Sequence, residues 1–245
     1  YIDGPCELPK SFADDFGPSH AAARKTVERL LQRGRRNFIL AGAPGTGKTI
    51  LARALKGSFP GVEMQFHPSY FYEEFIEGLR PPVDPAEKRA FVPAPGSLVR
   101  AIGKYRKRDD GTPEAIPVNT SHPEARSEIE KYLAFARRNG GDDPSDWEWQ
   151  FDRDKDLLPP FFIIIDEINR ANLPRVLGES LSLIDEDKRP QKPDFAKNAV
   201  ALPISQDFFI VPPHVIIVAT MNTADRSIRS IDAAICLLYT SDAAD

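Results

Sequence analysis

The chain has 245 residues, a formal net charge of −4 and two cysteines. This length allows one large domain or two small ones, and the negative balance disfavours general attraction to nucleic acid or anionic membranes. No apolar run approaches the roughly 20 residues that cross a bilayer, and two cysteines cannot form a disulfide framework. We therefore expect a cytoplasmic protein without membrane contact.

Hydrophobic periodicity and turn signals predict the elements of the first third of the chain. In order they are an extended lead-in over 1–18, a helix from an N-cap at Ser19 to about Arg33, a strand at 38–41, a glycine-rich loop, a helix over about 48–57, a strand at 62–66 and a helix from a cap at Ser69 to about Leu79.

The rest of the chain predicts a mainly parallel α/β arrangement. The predicted elements are a proline-rich excursion over 80–123 with one short helix near 96–106, an amphipathic helix at 124–138, an irregular acidic stretch at 142–158, a strand at 161–165, a helix at about 173–184, a strand or hairpin at 199–210 and a strand at 215–219. Fully apolar strands separated by helices are typical of a three-layer αβα sandwich, in which ligands bind at the carboxyl ends of the strands.

The loop after the first predicted strand fits a phosphate-binding pattern. Residues 42–49 read Gly-Ala-Pro-Gly-Thr-Gly-Lys-Thr, which matches G-x-x-x-x-G-K-[ST] in full. Glycines let backbone N–H groups point at phosphates, and the N-terminus of the following helix adds a positive dipole end. Lys48 would reach the β- and γ-phosphates, and the Thr49 hydroxyl would help to hold Mg²⁺. A ligand-free glycine turn is the alternative, which the strand–loop–helix context disfavours, so the loop predicts nucleoside triphosphate binding.

Polar side chains follow the other two apolar strands. Asp166 and Glu167 end the strand at 161–165, where one acid can hold Mg²⁺ and the next can orient and deprotonate a water aimed at the γ-phosphate. Asn222 follows the strand at 215–219 and can help to place that water. The spacing of Asn222 fits equally well with an Asx hydrogen bond that caps the turn. We expect the three segments to meet at one site.

Four segments together resemble the AAA+ domain of McrB-type proteins, the nucleotide-driven subunits of modification-dependent McrBC restriction systems. The matching segments are residues 42–49, 67–80, 165–172 and 220–227. The resemblance covers roughly 35–235, and 81–160 match poorly. The phosphate loop is shared by many proteins, whereas Asp-Glu-Ile-Asn-Arg-Ala-Asn from Asp166 together with Met-Asn-Thr-Ala-Asp-Arg-Ser from Met221 is specific to this group.

The resemblance implies residue roles and partners. Lys48 and Thr49 correspond to the Walker A lysine and Mg²⁺ ligand, Asp166 and Glu167 to the Walker B pair, and Asn222 to the sensor that positions water. Members of the family form hexameric rings and work with an McrC-type nuclease subunit, and they recognise DNA through a separate domain. Some prefer GTP and others use ATP, a choice that residues 42–49 cannot reveal because they contact only phosphates. The residues expected to bind nucleotide are Gly42, Ala43, Pro44, Gly45, Thr46, Gly47, Lys48, Thr49, Ile50 and Asp166.

The sequence departs from the family at its end. A typical member continues with an arginine-finger segment, a fifth core strand and a helical lid, whereas residues 236–245 are similar to the translation of a sequencing adapter and are expected to be a non-native tail. We therefore expect an incomplete AAA+ core over 35–235, preceded by a lead-in and helix over 1–34, that binds nucleotide weakly and hydrolyses it slowly. Arg226 and Arg229 are basic and are expected close to the subunit interface, although residues in such positions more often have structural or surface roles.

Two other interpretations remain at this stage. A MoxR- or dynein-related chaperone-type ATPase would share the same motifs, and a nearby nuclease gene would favour restriction. A nucleotide-gated scaffold would bind a triphosphate with little turnover, although the intact acids and Asn222 favour hydrolysis.

Overall fold

The computed structural model describes residues 18–33, 35–82, 86–109, 112–118, 127–140, 158–184, 189 and 199–224. The predicted lead-in up to residue 17, the arginines at 226 and 229 and the predicted tail at 236–245 lie outside these ranges, as does most of the acidic stretch at 142–158.

A four-stranded parallel sheet forms the centre of the molecule. The strands are β1 (Asn37–Gly42), β2 (Gly61–Gln65), β7 (Phe161–Asp166) and β10 (Val215–Asn222), and they lie in the order β1-β10-β7-β2. The two central strands are almost entirely buried and consist mainly of β-branched and aromatic residues, because neighbouring elements cover both of their faces. The predicted strands are confirmed, with β10 extending to Asn222.

Helices surround this sheet, and their bounds are α1 (Pro18–Gln32), α2 (Lys48–Lys56), α3 (Tyr72–Phe75), α4 (Ser97–Ile102), α5 (Glu128–Gly140), α6 (Leu173–Leu177) and α7 (Leu181–Ile184). Alternate residues of β7 belong to two separate cores: Phe162 and Ile164 pack with Leu31 and Leu51 from α1 and α2. Phe161, Ile163 and Ile165 lie on the other face and join a larger core that includes residues of α3 to α7. Two cores on opposite faces of one sheet make a three-layer αβα sandwich, as predicted.

Short antiparallel sheets are built from segments outside the parallel sheet. Their strands are β3 (Glu77–Arg80), β4 (Val92–Pro95), β5 (Lys104–Lys107), β6 (Pro113–Ile116), β8 (Val200–Ala201) and β9 (Phe208–Phe209). β3 pairs with β4, and the second sheet has the order β6-β5-β9-β8. For 199–210 the prediction was a strand or a hairpin, and the structure has the hairpin of β8 and β9; β3 to β6 were not predicted.

The helix predicted from Ser69 to Leu79 is wrong in its bounds. Only four residues from Tyr72 are helical, and the chain enters β3 at Glu77. Gly78 leaves no room for a side chain, because an added Cβ would lie 2.8 Å from the Cβ of Glu73. Antiparallel pairing with β4 satisfies the β3 backbone, so a contact distant in sequence overrides the local helical pattern.

Further boundaries differ from the predictions, among them that of the helix predicted at 124–138, which runs over Glu128–Gly140 as α5. α1 begins at Pro18, so Ser19 lies inside its first turn rather than at the N-cap. α4 ends at Ile102, and β5 occupies the end of the helix predicted near 96–106. The helix predicted at 173–184 is interrupted at Gly178, which has a positive φ of 51°. Within the described parts of the chain, no helix is long and apolar enough to cross a membrane.

Candidate nucleotide-binding site

The carboxyl ends of the parallel strands bring the predicted segments together. Gly42 of β1 pairs in register with Asn222 of β10, and Gln65 of β2 pairs with Asp166 of β7. A cavity of about 350 Å³ opens at this edge, where parallel sheets hold their ligands. Its lining residues are Pro44, Gly45, Gly47, Lys48, Thr49, Ile50, Asp166, Glu167, Thr220 and Asn222.

The phosphate loop forms a tight turn that leads into α2. Gly45 and Gly47 have φ angles of 76° and 80°, a left-handed conformation that glycine adopts without the Cβ penalty. The Lys48 ammonium donates to the carbonyl oxygens of Gly42 at 3.0 Å and Ala43 at 2.6 Å. The Thr46 hydroxyl donates to the same Ala43 carbonyl at 2.9 Å. Lys48 is thus folded against its own loop, with its charge at the cavity.

Three oxygen-bearing side chains meet beside this loop. The Thr49 hydroxyl donates to Oδ1 of Asp166 at 2.9 Å, and the Thr220 hydroxyl donates to the same oxygen. The acid of β7 is therefore connected to the first turn of α2 on one side and to β10 on the other. Of these three residues, the predictions included Asp166 and Thr49 but assigned no role to Thr220.

Glu167 is held in an unusual backbone conformation. Its φ and ψ are 54° and 46°, a left-handed region that is uncommon for residues other than glycine. Its N–H donates to the Thr220 hydroxyl at 3.0 Å. Its Oε2 accepts from Arg170 Nε at 2.7 Å and lies 3.5 Å from Gln65 Nε2. These side-chain contacts all fall on one carboxylate oxygen and fix the direction of the group.

Asn222 lies at the cavity and also caps its own turn. Its Oδ1 accepts from the N–H of Ala224 at 3.1 Å, which is the Asx hydrogen bond that the sequence left open. Its backbone carbonyl accepts from Asn169 Nδ2 at 2.9 Å, and the Asn169 side chain is buried. The structure therefore contains the capping contact, and Asn222 also lines the cavity together with Glu167 and Lys48.

The donor set fits a magnesium ion shared with phosphate. Mg²⁺ prefers oxygen ligands and usually binds through one or two protein groups plus waters and substrate phosphates. Asp166 and Thr49 offer two such oxygens within 2.9 Å of each other, next to a phosphate loop. The described ranges contain no cluster of three His, Cys, Asp or Glu side chains that could hold a metal alone. Waters and phosphate oxygens would supply the remaining ligands of such an ion.

The family described as "AAA domain (dynein-related subfamily)" matches residues 37–236. The chain belongs to this family. The match covers the four-stranded sheet, the phosphate loop and the acids that end β7, which is the arrangement of an AAA+ sandwich. Membership of the family implies a nucleotide substrate.

Two curated relatives of this AAA+ chain belong to restriction systems. The "Type IV methyl-directed restriction enzyme EcoKMcrB subunit" of Escherichia coli strain K12 is 32% identical over 219 residues, which are 86% of this chain and 36% of that protein. The "Type II restriction enzyme BsuMI component YdiS" of Bacillus subtilis strain 168 is 27% identical over 81% of this chain and 54% of its own length. The chain thus spans about a third to a half of the length of these relatives. Together with the family match, the two similarities identify it as an McrB-type AAA+ protein.

A solved structure from Cytophaga hutchinsonii is also similar. It covers 87% of this chain and 47% of that chain, at 14% identity and a TM-score of 0.36.

Three residues of the site escaped the sequence predictions. Thr220 looks like an ordinary β-branched strand residue, and only its position next to the polar end of an apolar strand could have signalled a role. Asn169 and Arg170 lie in the motif that carries the family resemblance, but nothing in their spacing indicates contacts to Asn222 and Glu167.

Proposed function

We propose that this chain binds a magnesium complex of ATP or GTP and hydrolyses the γ-phosphate. The observation that supports the proposal most strongly is the cavity lined by Lys48, Asp166, Glu167 and Asn222. These residues come from three segments that are far apart in the sequence, and each has a chemical property that triphosphate hydrolysis requires.

In this proposal, residues 42–49 cradle the phosphates, and Lys48 exchanges its carbonyl contacts with Gly42 and Ala43 for β- and γ-phosphate oxygens. Ile50, exposed at the cavity, borders the remainder of the nucleotide. Asp166 and Thr49 would hold Mg²⁺, which when bound would neutralise charge that develops on the phosphate oxygens.

Glu167 and Asn222 act on the water in the same proposal. Asn222 helps to position a water molecule in line with the bond between the γ-phosphorus and the β-bridging oxygen. Glu167 accepts a proton from that water as its oxygen attacks the γ-phosphorus, and the bond to the bridging oxygen breaks. Arg170 holds Oε2 of Glu167, so Oε1 is the oxygen that we assign to the water.

We further propose that the chain is a motor subunit of a McrBC-like restriction system in the cytoplasm. Its two restriction-system relatives support this setting more than a chaperone-type role. In this setting the subunits form a hexameric ring that works with an McrC-like nuclease subunit, and DNA is contacted through a separate domain. The division into a core over 35–235 with an insertion at 81–160 belongs to the same proposal.

The replacement Glu167→Gln tests the enzymatic part. It keeps the size of the side chain and the hydrogen bond to Gln65 but cannot accept a proton. We expect phosphate release from ATP or GTP, measured with enzyme in excess, to fall at least about 100-fold, while affinity for a fluorescent triphosphate stays within about threefold. Equal turnover in the variant would remove Glu167 from the chemistry. Failure of the unaltered chain to bind either nucleotide would refute the proposal as a whole.

The restriction setting needs a separate experiment. The chain is co-expressed with the product of a neighbouring nuclease gene, and the two are purified by a tag on one of them. We expect a nucleotide-dependent complex in which phosphate release is faster than in the chain alone. A complex that forms equally with and without nucleotide, and leaves turnover unchanged, favours the scaffold interpretation.

A further inference from the structure

A single buried hydroxyl connects both acids of the site. Thr220 lies on β10, one position beyond the registered pair of Ala219 with Ile165, and is 2% exposed. It donates to Oδ1 of Asp166 and accepts from the N–H of Glu167 at 3.0 Å. A hydroxyl has one proton to donate and lone pairs to accept, so Thr220 makes both contacts at once.

We propose that Thr220 is a positioning residue whose hydroxyl orients Asp166 towards the metal and holds Glu167 in its left-handed conformation. This inference rests on the proposed function, because it deepens the roles given there to the two acids. Thr220 itself does not touch the nucleotide in this account; it acts through the carboxylate of Asp166 and the backbone of Glu167.

The contact to Asp166 determines how that carboxylate faces the metal. Both Thr49 and Thr220 donate to Oδ1, one from α2 and the other from β10. Two donors on one oxygen fix the rotation of the carboxylate, as hydrogen bonds around metal ligands commonly do. If the Thr49 hydroxyl gave up this hydrogen bond to hold Mg²⁺, Thr220 would remain as the donor to Asp166.

The hydrogen bond to Glu167 stabilises a strained backbone conformation. A residue with a Cβ disfavours a φ of 54°, and such strain persists only where neighbouring groups hold it. The N–H of Glu167 is taken by Thr220, and its side chain is held by Arg170. One contact therefore holds the backbone of Glu167 at the end of β7, and the other holds its carboxylate.

Packing alone does not account for these contacts. Valine has nearly the shape of threonine and high strand propensity, so a purely structural role at this buried position would be filled by valine as well as by threonine. The two hydrogen bonds belong only to a hydroxyl, which serine retains and alanine lacks. Replacing Thr220 by valine, serine and alanine thus separates the shape of the side chain from its hydroxyl.

The test measures how much Mg²⁺ strengthens nucleotide binding. Dissociation constants for fluorescent, non-hydrolysable ATP and GTP analogues are determined in Mg²⁺ and in EDTA. Their ratio reports metal binding at Asp166 without any need for turnover. Loss of an outer contact around a metal ligand typically costs 10–100-fold, so we expect Thr220→Val to reduce the ratio at least about 10-fold and to leave affinity in EDTA within about twofold. Thr220→Ser should restore the ratio to within about threefold.

Thr26→Val is the matched control, because the Thr26 hydroxyl donates only within its own helix, to the Ala22 carbonyl at 3.1 Å. Its ratio should equal that of the unaltered chain. If circular dichroism shows that Thr220→Val is unfolded, Thr220→Ala and Thr220→Ser provide the same comparison, since they differ only in the hydroxyl.

The outcomes distinguish the inference from the proposed function. An unaltered chain whose binding is strengthened by Mg²⁺, together with valine and alanine variants of unchanged ratio, overturns the role of Thr220 and leaves the proposed function intact. A serine variant as impaired as the valine variant also overturns it. An unaltered chain that binds neither analogue refutes the proposed function and this inference with it.

Discussion

Asp207 offers the sharpest prediction about stability, because its carboxylate joins one buried cation and one exposed cation. Lys104 Nζ lies 2.7 Å from Oδ2, and Arg106 Nη2 lies 2.8 Å from Oδ1. The side chains of Asp207 and Lys104 are 4% and 8% exposed, whereas that of Arg106 is 67% exposed. The pair with Lys104 is therefore a buried ion pair, and the pair with Arg106 is a surface one.

The replacement Asp207→Asn keeps the shape of the side chain but removes its charge. Breaking a buried pair by removing one partner costs about 3–5 kcal/mol, because the remaining charge stays buried without compensation. The asparagine oxygen can still accept one hydrogen bond from Lys104, so we expect a loss near the lower limit, about 3 kcal/mol. Arg106→Gln should cost only about 0–1 kcal/mol, as exposed pairs do.

Urea unfolding followed by circular dichroism measures both losses. The midpoint should fall strongly for Asp207→Asn and slightly for Arg106→Gln, with the slope unchanged in each. The folded Asp207→Asn variant should bind nucleotide normally, since the residue lies outside the cavity. A loss below about 1 kcal/mol for Asp207→Asn, or equal losses for the two variants, would refute the reasoning that burial decides the energy of the pair.

The carboxyl of Asp207 should also make the stability of the protein depend on pH. Burial alone would raise the pKa of Asp207, but the hydrogen bonds from Lys104 and Arg106 outweigh it and hold the pKa below its ordinary value of 3.8. A carboxyl whose pKa is lower in the folded than in the unfolded state stabilises the protein above its ordinary pKa of 3.8. This contribution disappears as the pH falls through the pKa of the folded state. Stability of the unaltered chain should therefore decline below pH 3.8 more steeply than that of Asp207→Asn.

Two further predictions concern other parts of the fold. Gly61→Ala should lower the free energy of unfolding in urea by about 2 kcal/mol, because an added Cβ would lie 2.3 Å from the backbone oxygen of Phe162. Glu63→Ala, at an exposed position of the same strand, is the control. Equal losses of stability in the two variants would contradict the account. Burial lowers the pKa of His214 below 6.5, against the opposing effect of Glu128, so unfolding takes up a proton and stability should fall as the pH drops below 6.5. His214→Gln, which can still donate to Glu128, should flatten this dependence, and an unchanged curve would show that His214 does not cause it.

The central sheet and the meeting of the three motifs at one cavity could be predicted because their signals are local. The run Phe161–Ile165 is apolar at every position, which only a strand buried on both faces or a buried helix explains, and its length favours the strand. Lys48 and the glycines of its loop form a motif whose geometry is set by a few neighbouring residues. The parallel topology then places the ends of β1, β7 and β10 at one edge, so motifs distant in sequence could be assigned to one site.

The missed features depend on contacts between distant segments. The segment Glu77–Arg80 has no alternation strong enough to predict a strand, and it becomes one because Val92–Pro95 pairs with it. Thr220 acquires its role only when β7 is placed beside β10 in the observed register. A β-branched residue in an apolar strand predicts packing, and no local pattern reveals which acids its hydroxyl will meet.

The central claim is that Lys48, Asp166 and Asn222 surround one magnesium triphosphate. Its most direct test is a crystal structure of the chain with Mg²⁺ and a non-hydrolysable ATP or GTP analogue. We predict Lys48 Nζ within about 3.2 Å of a β- or γ-phosphate oxygen, and the metal about 2.1 Å from the Thr49 hydroxyl. Phosphates bound away from this cavity, with Lys48 still donating to the Gly42 and Ala43 carbonyls, would contradict the account.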